Sequence, residues 1–188
     1  VLDTISALER RGTEVTWVGV DRTGLVDPAE IERAITPETV LISIMAANNE
    51  TGTIEPIGEI GKIAHKHEVL FHTDATQALG KIPLDVSSMN IDLMSLSAHK
   101  LYGPKGVGAL YVRRRKPFVR LHPLLHGGGH ERGLRSGTIS PPLVVGMGKA
   151  VALSVQKMSQ ETGRMKELAD LFLEGLKESV PGVEVNGH

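Results

Sequence analysis

Apolar and polar positions along this chain change their spacing block by block, and the changes predict its elements. VLDTISALERRG (1–12) places apolar side chains three and four apart, as on one face of a helix. TEVTWVGV (13–20) alternates β-branched and polar residues and predicts a strand, with Trp17 pointing into a core. DPAEIERAI (27–35) predicts a helix with Asp27 as N-cap and Pro28 at the first helical position. TVLISIMA (39–46) is a nearly continuous apolar run of strand length. A helix at 56–67 and a strand at 68–75 follow, then two further strands at 91–97 and 106–114. From Pro141 to about Ser179 the spacing is helical again, apolar at first (Leu143, Val144, Val145, Met147) and then charged and amphipathic. Strands apolar on both faces and separated by helices imply an α/β fold with a largely parallel sheet and helices on both faces. No internal repeat, low-complexity segment or heptad run interrupts this order.

Composition narrows the picture. The 188 residues suffice for one sizeable domain or one with part of another, and 40% hydrophobic content is ordinary for a globular chain. A net charge of −1 supplies no field for nucleic acid or a membrane surface, and no apolar run reaches the roughly 18 residues that span a bilayer. The acidic residues of the first helix distinguish it from a signal or transit peptide. There is no cysteine, which excludes disulfides and thiolate metal sites within the chain. The first residue is not Met, and VEVNGH at the other end reads as the opening of a strand. Both features suggest a piece of something longer.

Open α/β sheets bind ligands beyond the carboxyl ends of their strands. The polar residues expected there are Asn48, Asn49 and Glu50 after one strand, His72 and Asp74 in the next, and Ser97, His99 and Lys100 after a third. A lysine at an ordered strand end beside a pocket can lose its proton and attack a carbonyl to form a Schiff base. A carboxylate such as Asp74 can pair with a protonated ring nitrogen, Ser97 and His99 can hold a phosphate, and Asn49 and Gln77 can hydrogen-bond a ring oxygen. Taken singly each has a plainer reading: Lys100 as a surface lysine opening a loop, Asp74 as a structural carboxylate, Ser97 as a cap. It is their conjunction that points to chemistry.

Four blocks carry a family likeness. MAANNETGTIEPI (45–57), FHTDATQALGKIPLDV (71–86), DLMSLSAHKLYGPKGVGALYVRR (92–114) and HGGGHERGLRSGT (126–138) together resemble the cysteine desulfurases of the NifS/IscS type. These are pyridoxal 5'-phosphate enzymes of the class V aminotransferase superfamily. The resemblance implies the type I fold of pyridoxal-phosphate-dependent transferases, with a mostly parallel sheet of the seven-stranded type, an incomplete large domain over 1–157, and a linker helix with the start of a small C-terminal domain over 158–188. By motif position Lys100 resembles the lysine that holds the cofactor and then shuttles a proton, and Asp74 the carboxylate paired with the pyridine nitrogen. Gln77 and Asn49 match residues near the ring hydroxyl. Ser97 and His99 match phosphate contacts, and Thr138 matches a threonine that reaches the phosphate of the neighbouring subunit, which implies a homodimer. Ala98 stands where the family more often has glycine.

What the resemblance implies about activity is removal of sulfur from L-cysteine, giving alanine and an enzyme persulfide for iron–sulfur cluster assembly or tRNA thiolation. In that family the persulfide cysteine and the arginine for the substrate carboxylate lie C-terminal to this region, and a phosphate loop and a ring-stacking histidine precede it. The chain is therefore expected to be the central portion of a longer enzyme, to bind the cofactor poorly alone, and to show no turnover alone. A selenocysteine lyase, another class V transaminase, or a truncated chain that only dimerises or binds a partner are the competing readings. The expected compartment is the cytoplasm, or the mitochondrial matrix in a eukaryote.

Three further features were weighed. His126 and His130 sit four apart in a glycine-rich loop too flexible to preorganise a metal site, so no metal is assigned. His65 and His67, near a helix C-terminus, are expected to face its dipole and solvent. Arg113, Arg114 and Arg115, followed by Lys116 and Arg120, form a basic patch. With only 3% aromatic residues it does not suit nucleic acid, and the resemblance offers it as a docking surface for acidic partners, such as an iron–sulfur scaffold or other sulfur acceptor.

Overall fold

The computed structural model describes residues 2–116 and 118–188. Helix α1 (Leu2–Glu9) is followed by α2 (Pro28–Ala34), strand β1 (Leu41–Met45), helix α3 (Ile57–Lys66), and strands β2 (Leu70–Asp74), β3 (Leu93–Ser97) and β4 (Gly108–Val112). Helix α4 (Pro141–Ser179) closes the order, and short 3₁₀ turns lie at Ala98–Leu101 and His130–Gly133. The strands form one sheet in the order β1-β2-β3-β4, with the first two pairings parallel and β3–β4 antiparallel.

Local chemistry accounts for the boundaries. Asp27 caps α2 by accepting the Ala29 N–H at 2.8 Å, and Pro28 occupies the first helical position, where no N–H is needed. α3 turns Ile57, Ile60, Gly61 and Ala64 inward and its charges outward. Glu32 of α2 then ties α3 down, accepting from Lys66 Nζ at 2.7 Å and bonding His67 Nε2 at 2.9 Å. His67 thus binds a neighbouring helix, where a contact with dipole and solvent was expected.

The core lies between α2, α3 and one face of the sheet: Ile31, Ile60 and Ala64 meet Ile42, Phe71 and Met94. Burying a side chain such as Phe71 or Ile60 contributes about 1.5–3 kcal/mol. The other sheet face is different. It carries Ser43, His72, Asp74, Ser95 and Ser97, all half-buried or exposed. Helices α2 and α3 therefore cover one face, and α4 packs against the 98–101 turn.

Two expected strands are absent. Residues 14–20 have no backbone–backbone hydrogen bond among the described residues. A strand exists through its ladder, and without a neighbour the alternating pattern has nothing to pair with. Val18 packs on the core, but Trp17 is 54% exposed rather than buried. Residues 183–188 likewise form no strand.

At the amino-terminal edge of the sheet, Asp92 is 5% exposed and uses both carboxylate oxygens. One accepts the Phe71 N–H of β2 at 2.9 Å; the other pairs with Arg113 Nε at 3.0 Å. Arg113 also donates to the Ile91 and Val86 carbonyls. This corrects the reading of Arg113 as a docking residue: it is withdrawn into the fold to neutralise a buried carboxylate, while Arg114 and Arg115 remain exposed.

On the opposite edge, the 46–56 loop is held by the Ala47–Ile54 bridge and by Glu55, whose carboxylate accepts the Val26 N–H at 3.0 Å. Burial, reinforced by the like charge of Asp21, raises the Glu55 pKa above its ordinary 4.5, against the Val26 hydrogen bond.

Two stability outcomes follow from these contacts. Thr73 is fully buried with its hydroxyl unpartnered among the described residues. Thr73→Val keeps the shape and removes the unpaired group, and should stabilise the protein by about 1 kcal/mol, read as a higher melting temperature; a lower one refutes the assignment. For Glu55 the folded state holds its proton more tightly than the unfolded one, so ionisation costs stability as pH rises from 4.5 through the raised folded value. The melting temperature of Glu55→Gln relative to wild type should therefore increase between pH 4 and pH 7. A difference independent of pH contradicts this.

Candidate active site

The parallel register sets the site. Met45 pairs with Asp74, and Asp74 with Ser95, so β1 and β2 end at one level and β3 continues two residues beyond it, to Ser97. The Asp74 carbonyl accepts the Ala46 N–H at 2.8 Å and the Ser95 carbonyl accepts the Ala75 N–H at 3.0 Å, carrying the ladder one residue past each strand. Beyond those ends opens a cleft of about 210 Å³ lined by Met45, Ala47, Asn49, Asp74, Thr76, Gln77 and Lys100. Four of the seven expected site residues meet there.

Each is held by its own local structure. Asp74 Oδ1 accepts the Thr76 N–H at 2.9 Å, which turns the chain away from the strand; its other oxygen has no partner among the described residues. Lys100 lies on the 3₁₀ turn that starts as β3 stops, a turn closed by Tyr102 in the left-handed region (φ 59°). Such a backbone costs a non-glycine residue about 1–2 kcal/mol, offset by bonds from the Tyr102 and Gly103 N–H groups to the Ala98 carbonyl. A side chain on Gly103 would come within 2.9 Å of that carbonyl and 3.1 Å of Ala150 Cβ, so only glycine lets α4 close on the turn. Ala98, whose carbonyl closes the turn, is fully buried.

Asn49 sits in the 46–56 loop, whose tight turn is fixed by the Asn48 side chain accepting the Glu50 and Thr51 N–H groups. Its own amide donates to Glu50 at 2.8 Å. Ser97 and His99 flank the cleft without lining it, and bond each other, Ser97 Oγ to His99 Nδ1 at 2.9 Å. Thr138 is not in the cleft. It occupies an exposed stretch ahead of α4.

The structure adds two residues that the sequence reading left out, and gives His72, expected at a strand end, its partners. Thr76 lines the cleft, and Lys81 Nζ donates to Gln77 Oε1 at 2.9 Å. Under the site, His72 bonds Ser43 Oγ through Nδ1 at 2.8 Å and Ser95 Oγ through Nε2 at 2.9 Å, bridging three strands. Burial lowers the His72 pKa against the opposing pull of Asp74, which keeps the ring neutral near pH 7. The one available signal for these contacts was spacing: Lys81 follows Gln77 by four, and His72 precedes Asp74 by two on the same strand face.

A carboxylate with a free oxygen, a primary amine and two amides around a small concavity match the polar groups of a pyridinium ring bearing a hydroxyl and an aldehyde. The small side chain of Ala47 in the cleft lining leaves room for a flat ring to approach the backbone. The residues present fit that group.

Comparison with known proteins gives the family. The chain is 54% identical over 187 residues to the cysteine desulfurase IscS of Glaesserella parasuis, covering 100% of this chain and 46% of that protein. It is 56% identical over 176 residues to the mitochondrial cysteine desulfurase of Saccharomyces cerevisiae, covering 94% of this chain and 35% of that one. Among solved structures, a NifS-like protein superposes with a TM-score of 0.90 at 43% identity, over 95% of this chain and 48% of its own. DndA from Streptomyces lividans does so at 0.91 and 35% identity, over 100% and 52%. The chain spans about half the length of the curated relatives it matches. The sequence pattern of the aminotransferase class-V family matches residues 2–188, and the chain belongs to that family.

Proposed function

We propose that the protein works as a pyridoxal-phosphate-dependent cysteine desulfurase, taking sulfur from L-cysteine and leaving alanine. The observation that carries this reading is the meeting of Asn49, Asp74, Gln77 and Lys100 in one cleft of a class-V chain 54% identical to a cysteine desulfurase. Bound pyridoxal phosphate supplies an aldehyde that engages amines and a ring that draws electrons from the carbon beside the substrate nitrogen.

The chain's own residues supply the rest. Lys100 Nζ would hold the cofactor at its aldehyde carbon, and as a free amine would take and return the proton at the substrate carbon. The open Asp74 oxygen would accept a ring N–H and favour a positive charge there. Asn49 and Gln77 address the ring oxygen. Ser97 and His99, hydrogen-bonded to each other at the strand end, address the phosphate from beside the cleft. The sulfur of the substrate needs a thiol to receive it, and these 188 residues contain none.

Thr138, remote from the cleft lining and exposed, suits a contact with the cofactor phosphate in a second copy, and a homodimer is part of this reading. No described helix is long and apolar enough to cross a membrane. The site of action is the cytoplasm or, in a eukaryote, the mitochondrial matrix, supported by relatives named as mitochondrial and mitosomal cysteine desulfurases. The docking surface for an acidic iron–sulfur scaffold or other sulfur acceptor reduces to Arg114 and Arg115, with exposed Lys116 and Arg120 beside them.

Borohydride reduction of the intact, cofactor-loaded protein followed by peptide mapping should place the label on Lys100. Lys100→Ala should abolish that label and lower alanine release by about 10³-fold or more. Label on another residue, or no cofactor uptake, overturns the reading. Reversing both Arg114 and Arg115 to Glu should weaken acceptor-protein binding by roughly 2- to 30-fold at low salt, as two exposed ion pairs would, and leave cofactor uptake intact. Unchanged binding removes the patch from the proposal.

A further inference from the structure

Gln77 has two chemically opposite ends, and something must decide which one faces the cleft. Its amide offers an acceptor oxygen or a donor NH₂ group, and the two are nearly identical in shape. Lys81 settles the choice. An ammonium can only donate, and Lys81 Nζ holds Gln77 Oε1 at 2.9 Å, so the oxygen is claimed and the NH₂ is left for the cleft.

The backbone that carries Lys81 is itself fixed. Its N–H donates to the Ala78 carbonyl at 3.0 Å and its carbonyl accepts Thr162 Oγ1 of α4 at 2.9 Å. The preceding Gly80 takes φ 72°, and a side chain there would come within 2.5 Å of Ser154 Cβ, so the turn is pressed against α4. Partial burial, and after it the charge of Lys100, lower the Lys81 pKa.

We propose that Lys81 is a positioning residue that locks the Gln77 amide with its NH₂ toward the cleft, so that the site selects a cofactor ring oxygen in its anionic form. A donor stabilises an oxyanion and offers a protonated hydroxyl only its lone pairs; an acceptor would favour the neutral hydroxyl. This rests on the pyridoxal-phosphate reading above and adds to it the protonation state of the ring oxygen and the residue that sets it.

The test uses the intact protein loaded with pyridoxal phosphate, in which the anionic and neutral ring-oxygen forms absorb at different wavelengths. In Lys81→Met the ratio of anionic to neutral bands at fixed pH should fall about tenfold, the order expected for losing a charged hydrogen bond and its orientation. Lys81→Arg, which retains a donor and a charge, should recover most of the ratio. An unchanged ratio in Lys81→Met, with Lys100 still carrying the borohydride label, overturns the proposal while leaving the cofactor reading standing. Loss of the Lys100 label in the wild-type protein would instead fail the cofactor reading. Should Lys81→Met not fold, Gln77→Glu decides: it keeps the Lys81 contact but turns an acceptor toward the cleft. Its band ratio must fall, and an unchanged ratio refutes the proposal.

Discussion

The register of the sheet depends on one carboxylate at the edge farthest from the site. Asp92 accepts the Phe71 N–H of β2 with one oxygen and pairs with Arg113, at the end of β4, with the other. It therefore fixes three strands to one another at the level where β2 and β3 begin. Side chains alternate faces with a period of two, so a slip of a single residue would send Asp74 and His72 into the core and Phe71 and Thr73 out of it. The site lies about 17 Å away along five-residue strands, yet its geometry is set by this pin. A buried ion pair gains little net stability over an apolar substitute, because both groups lose water; breaking one partner is what costs several kcal/mol. Here the gain is in specificity of alignment. Arg113 adds backbone carbonyl partners that leave little of its charge unmatched.

From that register the cleft follows with little further instruction. β1 and β2 stop at one level and β3 two residues beyond it, and each is followed by a tight turn: the Asn48-capped loop, the Asp74–Thr76 turn and the 3₁₀ turn bearing Lys100. Parallel strands leave their carboxyl ends free of hairpins, which is why groups twenty and fifty residues apart can share about 210 Å³. α4 then backs two of the turns, closing on Gly80 and Gly103 where no side chain would fit.

Much of this was legible in the chain. The apolar runs at 39–46, 68–75, 91–97 and 106–114 each contain a strand, and the helices at 27–35, 56–67 and 141–179 lie where spacing and caps put them. Asn49, Asp74, Gln77 and Lys100 were each named, because strand-end polar residues and quoted motifs mark positions along the chain. Two kinds of information were not legible. The pattern at 13–20 describes a strand's side chains but says nothing of who completes its ladder, and among the described residues nothing does. Arg113 reads as the first of four consecutive basic residues, although it sits beside a buried acid twenty-one positions earlier. Pairing across such a separation is a property of the antiparallel β3–β4 register, invisible to a scan of neighbours.

The polar face of the sheet finally explains how Asp74 stays available. A carboxylate beside a histidine two residues earlier on the same strand face would ordinarily attract its proton and be half-neutralised by the imidazolium. Instead both ring nitrogens of His72 are occupied by Ser43 and Ser95 hydroxyls, and burial lowers its pKa more than Asp74 raises it. The neutral ring ties β1, β2 and β3 together without competing for the charge above it. Asp74 spends one oxygen on the Thr76 N–H, and the second keeps its full capacity for a cation arriving from the cleft. Two serines on flanking strands, unremarkable in the sequence, thereby decide that the strongest acceptor at the strand ends faces its ligand and not its neighbour.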